Sequence, residues 1–313
     1  MPYPYDLEMI NKRAVSDPEN FANECEAIFN RKVEEVAATI TERISASRVV
    51  FLSGPSGSGK TTTANKICDA LEGIGVHAHT ISMDKYYVAH DPETTPRTPD
   101  GEVDLESPYC LDLDLLSSHY GMLDRGEEVV IPHFNFKMQA RDPSKAKALK
   151  LGCDEVVVFE GIHALNDILA DRHPCAFKLY ISARSDIKKG CDIFFKRTWT
   201  RLLRRVVRDG QFRGTGAVDT LKMWANVRVG EKEYISPFKY KADILFDSSM
   251  QYEVPVMKAF ALNAFDSIPQ DTDRIEELRS LLPKLMEFEG IDPKYVPPNS
   301  ILREFIGGGV YKY

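Results

Sequence analysis

The chain has 313 residues, 43% hydrophobic and 28% charged, and a formal net charge of −7 at pH 7. These values fit a soluble globular protein of one large or two small domains; the acidic balance argues against a nucleic-acid coat, and no apolar run approaches the ~20 residues of a membrane span. With no secretory pattern at its start, and six scattered cysteines that read as reduced thiols instead of a zinc or disulfide framework, the cytoplasm is the expected compartment.

The first expected element is a helix. Ser16-Asp17-Pro18-Glu19 has the form of a capping box with proline in the first turn. Phe21, Cys25, Ile28, Phe29, Val33, Val36, Ile40 and Ile44 then recur on one face as far as about Ser45. Such a face either packs on the domain that follows or meets a partner, and residues 1–46 read as a helical extension.

Arg48 to Ser53 is a β-branched and apolar run suited to a strand buried on both faces. Gly54-Pro55-Ser56-Gly57-Ser58-Gly59-Lys60-Thr61 follows and matches the phosphate-loop pattern G-x-x-x-x-G-K-[ST] without a mismatch. Its glycines admit turns that aim consecutive N–H groups at a phosphate. Lys60 reaches the outer phosphates, and the Thr61 hydroxyl is placed for Mg²⁺. Ala64, Ile67, Cys68 and Leu71 carry a helix until Gly73 and Gly75, whose N-terminus adds positive potential at the anion site. A glycine-rich turn that binds nothing is the alternative; strand, loop and helix nevertheless stand in the order that a nucleoside triphosphate site requires.

From residue 47 to 250 strands and helices alternate, with further strands expected at Val76–Ser82, Glu155–Phe159, Phe177–Ser182 and Asp243–Phe246. This pattern predicts an α/β domain of the P-loop NTPase type, a parallel sheet with helices on both faces. Ligands of such sheets bind at the carboxyl ends of the strands. There Asp84, just past the second strand, is the candidate general base, its alternative being a cap or surface aspartate. Val156-Val157-Val158-Phe159-Glu160 has the form of a Walker-B strand, which makes Glu160 a candidate Mg²⁺ ligand.

Between those acids lies a turn-rich insertion with Pro92, Pro96, Pro99, Pro108 and the turn signal Asp100-Gly101. Val129–Pro132 and Phe134–Phe136 read as strands of a projecting β-arm with a basic surface. Phe134 and Phe136 share one side, to stack on a flat ligand or to pack the arm down. Farther on, Arg201, Arg204, Arg205 and Arg208 lie on one face of a helix, followed by Arg213 in a glycine-containing, flexible loop. They form either an arginine-rich lid over transferring phosphates or a solvated basic face. Residues 251–313 read as a second helical extension, with an amphipathic segment over Asp273–Glu289 that Pro283 should kink or divide. For the glycines near the end of Ser300–Gly309 the sequence supplies no physical reason.

These residues resemble the uridine kinase and phosphoribulokinase family. GPSGSGKTT resembles its phosphate loop, MDKYY its D-x-[FY]-Y stretch, ESPYCLDLDLL its D-H-P-x-x-[FL]-D segment, and IPHFNFKMQAR its I-P-x-Y-D-F-x-x-H-x-R segment. VVVFEGIHAL and RLLRRVVRD are similar to its Walker-B strand and its arginine-bearing lid, and the S-I-L-R-E-F-I-G-G ending is similar to that of bacterial uridine-kinase-related proteins. The resemblance implies ATP and Mg²⁺ as cofactors, Asp84 as base and third metal-site residue beside Thr61 and Glu160, and Gly54, Ser56, Gly57, Ser58, Gly59, Lys60, Thr61, Thr62, Arg205 and Arg213 around the nucleotide. Lys60, Arg204 and Arg208 would serve catalysis, while Tyr87, Asp104, Glu106, Phe134, Phe136, Gln139, Arg141 and Arg201 would meet the acceptor. Gln139 stands where the family has a base-reading histidine, Phe134 where it has a tyrosine, Lys222 where it has a glutamine and Lys85 where it usually has a serine.

The expected function is an ATP-dependent kinase that phosphorylates a hydroxyl of a small molecule, foremost the 5′-hydroxyl of uridine or another nucleoside. The acidic Asp104 and Glu106 suit a neutral polyol better than a sugar phosphate. A nucleotide-binding regulator with little turnover is the alternative from another class, and a GTPase is disfavoured because no N-K-x-D element follows the loop. The expected partner is a small hydroxyl acceptor, not a nucleic acid or membrane, with a homo-oligomer left open.

Overall fold

Five parallel strands stand at the centre of the protein. The computed structural model describes residues 4–98, 101–266, 268–269 and 275–312; Pro99, Asp100 and Asp273, named above, lie outside them. The strands are β1 (Val49–Ser53), β2 (His77–Ser82), β3 (Glu155–Glu160), β4 (Phe177–Ser182) and β5 (Ile244–Asp247), in the spatial order β5-β4-β1-β3-β2. Every neighbouring pair is parallel, and each strand falls within one residue of its expected bounds. This is the P-loop NTPase-type α/β arrangement.

Strand periodicity sorts the core into two layers. Val49 and Phe51 point to one face, where they meet Ile81, Val157, Phe159 and Tyr120. Val50 and Leu52 point to the other, with Val156, Val158, Leu179 and Ile181. Both faces are covered because successive side chains of a strand alternate and both sets here are apolar. Leu113–Asp124 covers the first face through Leu116, Tyr120 and Leu123. The second face carries the helix after the phosphate loop (Lys60–Gly73), the arginine-bearing helix (Arg197–Arg208) and both terminal extensions.

The N-terminal extension differs in detail from expectation. A separate helix, Leu7–Ser16, precedes the long helix Pro18–Arg43, so Ser16 ends one element instead of capping the next. Asp17 is the N-cap, with no side-chain cap bond, and Pro18 takes the first turn, where its missing N–H costs nothing. Phe21, Phe29, Val33, Val36 and Ile40 are buried on the sheet, whereas Ile28 is exposed. Each buried side chain contributes roughly 1.5–3 kcal/mol before chain entropy is subtracted, which holds the helix to the domain.

The arm consists of two short antiparallel ribbons, Val129–Ile131 with Lys147–Leu149 and Phe134–Asn135 with Ala140–Arg141. Near the C-terminus, Ile275–Met286 runs through Pro283 without dividing there; Leu278, Leu281 and Leu285 are buried in the same core layer. Among the described residues no helix is long and apolar enough to cross a membrane.

Candidate active site

Three strand ends converge in register. Leu52 and Ser82 both lie opposite Glu160, so the loop after β1, Asp84 after β2 and Glu160 at the end of β3 open onto one cleft. Its volume is about 600 Å³, and Gly57, Gly59, Lys60, Thr61, Asp84 and Glu160 are among its walls.

The loop is held from behind through its carbonyls. Arg201 Nε donates to Ser56 O at 3.0 Å, and Arg204 Nη1 donates to Gly57 O and Ser58 O at 3.2 and 3.3 Å. The Ser248 hydroxyl adds a 2.7 Å bond to Ser58 O. These bonds satisfy loop carbonyls from behind, and the Ser58 N–H is taken within the loop by Pro55 O at 3.2 Å. Gly54 is required by proximity, since a Cβ there would lie 2.0 Å from Ile181 O. Gly59 combines a φ of +83° with a Cβ direction that points at Ile301, 2.2 Å away; only glycine meets both demands.

Lys60 reaches back to Pro55 O at 3.3 Å, and burial holds its pKa below the ordinary lysine value against the pull of Glu160 and Asp84. Thr61 Oγ1 donates to Glu160 Oε1 at 3.3 Å. Burial pushes the Glu160 carboxyl up to about 7, with Lys60 opposing and Asp84 adding to the rise. Asp84 is exposed on the cleft wall. The surrounding walls raise its pKa while Lys60, Arg213 and Arg208 oppose; because water still reaches it, the carboxylate form is retained more readily than in a dry site. A hydroxyl beside two carboxyls is a hard oxygen set of the kind that suits Mg²⁺ with nucleotide phosphates completing its shell.

The arginines divide into two groups. Arg205, Arg208 and Arg213 line the cleft and gather on Asp209, at 3.3, 2.7 and 3.7 Å; Arg205 also donates to the Ser56 hydroxyl at 2.8 Å. Arg204, expected among the catalytic arginines, is instead fully buried behind the loop, and Arg201, expected at the acceptor, pairs with buried Glu231 at 2.8 and 2.9 Å. Neither lines the cleft, because their guanidinium groups are spent on loop carbonyls and buried carboxylates. Of the segment expected as a flexible loop, Gly210–Gly216, the first half differs, since Asp209–Arg213 forms a π-helical turn that continues the helix, while 214–216 lie outside any helix or strand.

On the far side, Tyr87 and Leu105 belong both to this cleft and to a second, more apolar cavity of about 540 Å³. Phe134, Phe136 and Gln139 line that cavity. The rings of Tyr87, Phe134 and Phe136 pack mutually at 5.1–5.8 Å, so the two phenylalanines anchor the arm and face a cavity at once. Gln139 adopts a φ of 50° and donates to Phe136 O at 2.7 Å. Glu106 enters the main cleft against Gly230. Burial pushes its carboxyl up to about 7 despite Arg205 and Lys60, and its Oε2 finds no hydrogen-bond partner among the described residues. Asp104 accepts from the Tyr234 hydroxyl at 3.0 Å. Arg141 bonds Asp112 at 2.9 Å and the carbonyls of Tyr86 and Tyr87, bracing the aromatic turn from outside both cavities.

Several cleft residues escaped the sequence reading. Asp209, buried behind the cleft arginines, had a local signal, an acid four residues after Arg205 and four before Arg213. Phe212, Leu105 and Ile162 had none. Glu304 is the most distant: its Oε2 accepts from Thr62 Oγ1 at 2.7 Å and from Thr62 N at 3.3 Å. The terminal glycines serve the same segment, because Gly307 and Gly308 take φ of +82° and +72° and Gly309 packs on Arg303.

The profile of the phosphoribulokinase / uridine kinase family matches residues 49–255. A uridine kinase of Staphylococcus epidermidis is 28% identical over 210 residues, 66% of this chain and 91% of that protein. One from Staphylococcus aureus is 28% identical over 213 residues, 67% of this chain and 92% of that one. A solved structure described as a possible uridine kinase from Bacillus stearothermophilus aligns with a TM-score of 0.45 at 18% identity, over 69% of this chain and 98% of that one.

Proposed function

Since the chain belongs to the phosphoribulokinase / uridine kinase family and is a phosphotransferase acting on an alcohol group, we propose that it moves the γ-phosphate of Mg-ATP to a hydroxyl of a nucleoside, uridine first. The observation that carries this reading is the junction of the two cavities at Tyr87 and Leu105. A polar chamber that carries Lys60 and three arginines among its walls meets an aromatic one, as a phosphate donor and a flat acceptor base with a polyol between them would require.

In this reading Lys60 and the loop N–H groups hold the outer phosphates, and Asp84 orients the acceptor hydroxyl and takes its proton as the new O–P bond forms and the bond from the γ-phosphorus to the bridging oxygen breaks, with ADP as the leaving group. Thr61 and Glu160 would hold Mg²⁺, which supplies charge neutralisation between the phosphates. Arg205, Arg208 and Arg213, gathered by Asp209, face the charge that develops on transfer. Glu106, with an oxygen unpartnered among the described residues, would accept from sugar hydroxyls, and Phe136 would stack on the base. Coupled ADP release with Mg-ATP against a panel of nucleosides, pentoses and other alcohols, with mass spectrometry of the products, tests the assignment. Turnover on one nucleoside, lost in Asp84→Asn, is the expected result. Tight Mg-ATP binding without acceptor-dependent ADP release would favour a nucleotide-responsive regulator.

A further inference from the structure

Glu304 places a carboxylate at a helix N-terminus, a position that favours an anion. It meets the backbone N–H and the hydroxyl of Thr62, at the N-terminus of the helix Lys60–Gly73, and it belongs to the wall of the nucleotide cleft. Its charge reaches Lys60 and Arg213. Helix N-termini after a glycine loop receive phosphate through just such N–H groups. Two anions cannot share the position without strong repulsion.

The segment that delivers this carboxylate is not loosely held. Ile301, Leu302 and Phe305 are fully buried, Phe305 packs under the Arg204 guanidinium at 5.2 Å, and Lys66 Nζ donates to Asn299 O at 2.8 Å. Arg303 ties the turn together by bonds to the carbonyls of Pro293 and Gly307 at 3.0 and 3.1 Å. What can yield to an incoming phosphate is therefore the Glu304 side chain alone, about its own rotatable bonds, while the backbone stays docked.

We propose that Glu304 is a resident anion of the phosphate loop, a determinant of donor affinity that competes with a nucleotide phosphate for Thr62. The proposal rests on the loop being the nucleotide site. It gives the C-terminal segment a role in the reaction, since every donor molecule must first displace its carboxylate.

The test is calorimetric titration of the full chain with Mg-ATP and with Mg-ADP, comparing wild type with Glu304→Gln and Glu304→Ala. Gln keeps the shape and an acceptor for Thr62 but removes the charge, and so guards against a folding defect in the alanine variant. Both variants should bind roughly tenfold tighter, alanine at least as much as glutamine. Tyr311→Phe, which removes a hydroxyl bonded to Asp69 farther along the same segment, should leave affinity unchanged. Hydrogen exchange at the Thr62 amide should quicken in nucleotide-free Glu304→Ala and slow again with Mg-ADP. Unchanged or weaker binding in folded Glu304 variants overturns the proposal, whereas Lys60→Ala binding nucleotide as well as wild type would instead overturn the loop as the nucleotide site.

Discussion

Arg204 and Glu253 pair at 2.7 Å, with neither side chain more than 2% exposed. The pair sits behind the phosphate loop, where the same guanidinium holds two loop carbonyls. Glu253→Ala leaves a buried cation without its partner, a change that costs about 3–5 kcal/mol. The urea midpoint should fall accordingly, and nucleotide affinity with it as the loop loses its brace. Arg204→Lys should fare little better, since an ammonium cannot span the carboxylate and both carbonyls.

Asp84 stands exposed in the cleft, and no hydrogen bond from its side chain holds the fold together among the described residues. Asp84→Asn should therefore leave the melting temperature within about 1 °C of wild type while lowering kcat by roughly 10²- to 10⁴-fold. Nucleotide affinity measured by titration should barely change. Persistent turnover would assign the proton to another group.

Glu106 binds a proton near pH 7 in the folded chain and near 4.5 when unfolded. Between those values the folded state holds the extra proton, so the contribution of this group is full below the lower value and is lost as pH rises through the upper one. Glu106→Gln abolishes that loss. Relative to wild type the variant should gain roughly 2 kcal/mol between about pH 5 and pH 8, read from denaturant curves at the two values. A constant difference would mean that the folded carboxyl titrates at its ordinary position.

Phe136 is about half exposed, so its truncation should be tolerated by the fold. Phe136→Ala should raise KM for a nucleoside acceptor by about five- to tenfold, near 1 kcal/mol of lost ring contact, with KM for Mg-ATP unchanged. Equal changes in both constants would place Phe136 in the support of the whole site.

The sheet and the three strand-end groups were legible because each is written locally. An apolar run, a glycine loop and an acid after a strand need no distant residue to be recognised, and the alternation of Val49 to Leu52 already implies two covered faces. The roles of the arginines were not legible. Arg204 and Arg205 are adjacent in sequence, and helical geometry sends one to the buried carboxylate of Glu253 and the other into the cleft; a count of charges on a helical wheel does not separate them. Asp17 against Ser16 as the cap likewise turned on a helix, Leu7–Ser16, whose short apolar pattern went unread. Nothing local at Ser300–Gly309 names Thr62 as a neighbour, so the purpose of the terminal glycines emerged only from their packing.

Thr62 and Glu304 are separated by 242 residues, and Ile301 closes against Gly59 from the same distant stretch. Translation delivers these pieces far apart in time. A chain on the ribosome can form β1, the phosphate loop and much of the sheet long before the wedge that seats against Gly59 has been made, since N-terminal parts fold first during synthesis at ~5–20 residues per second. For that interval the Thr62 amide has no carboxylate over it. The phosphate loop and the helix after it are thus complete as local structure before the residues that seat a carboxylate on Thr62 and a side chain against Gly59 have been made.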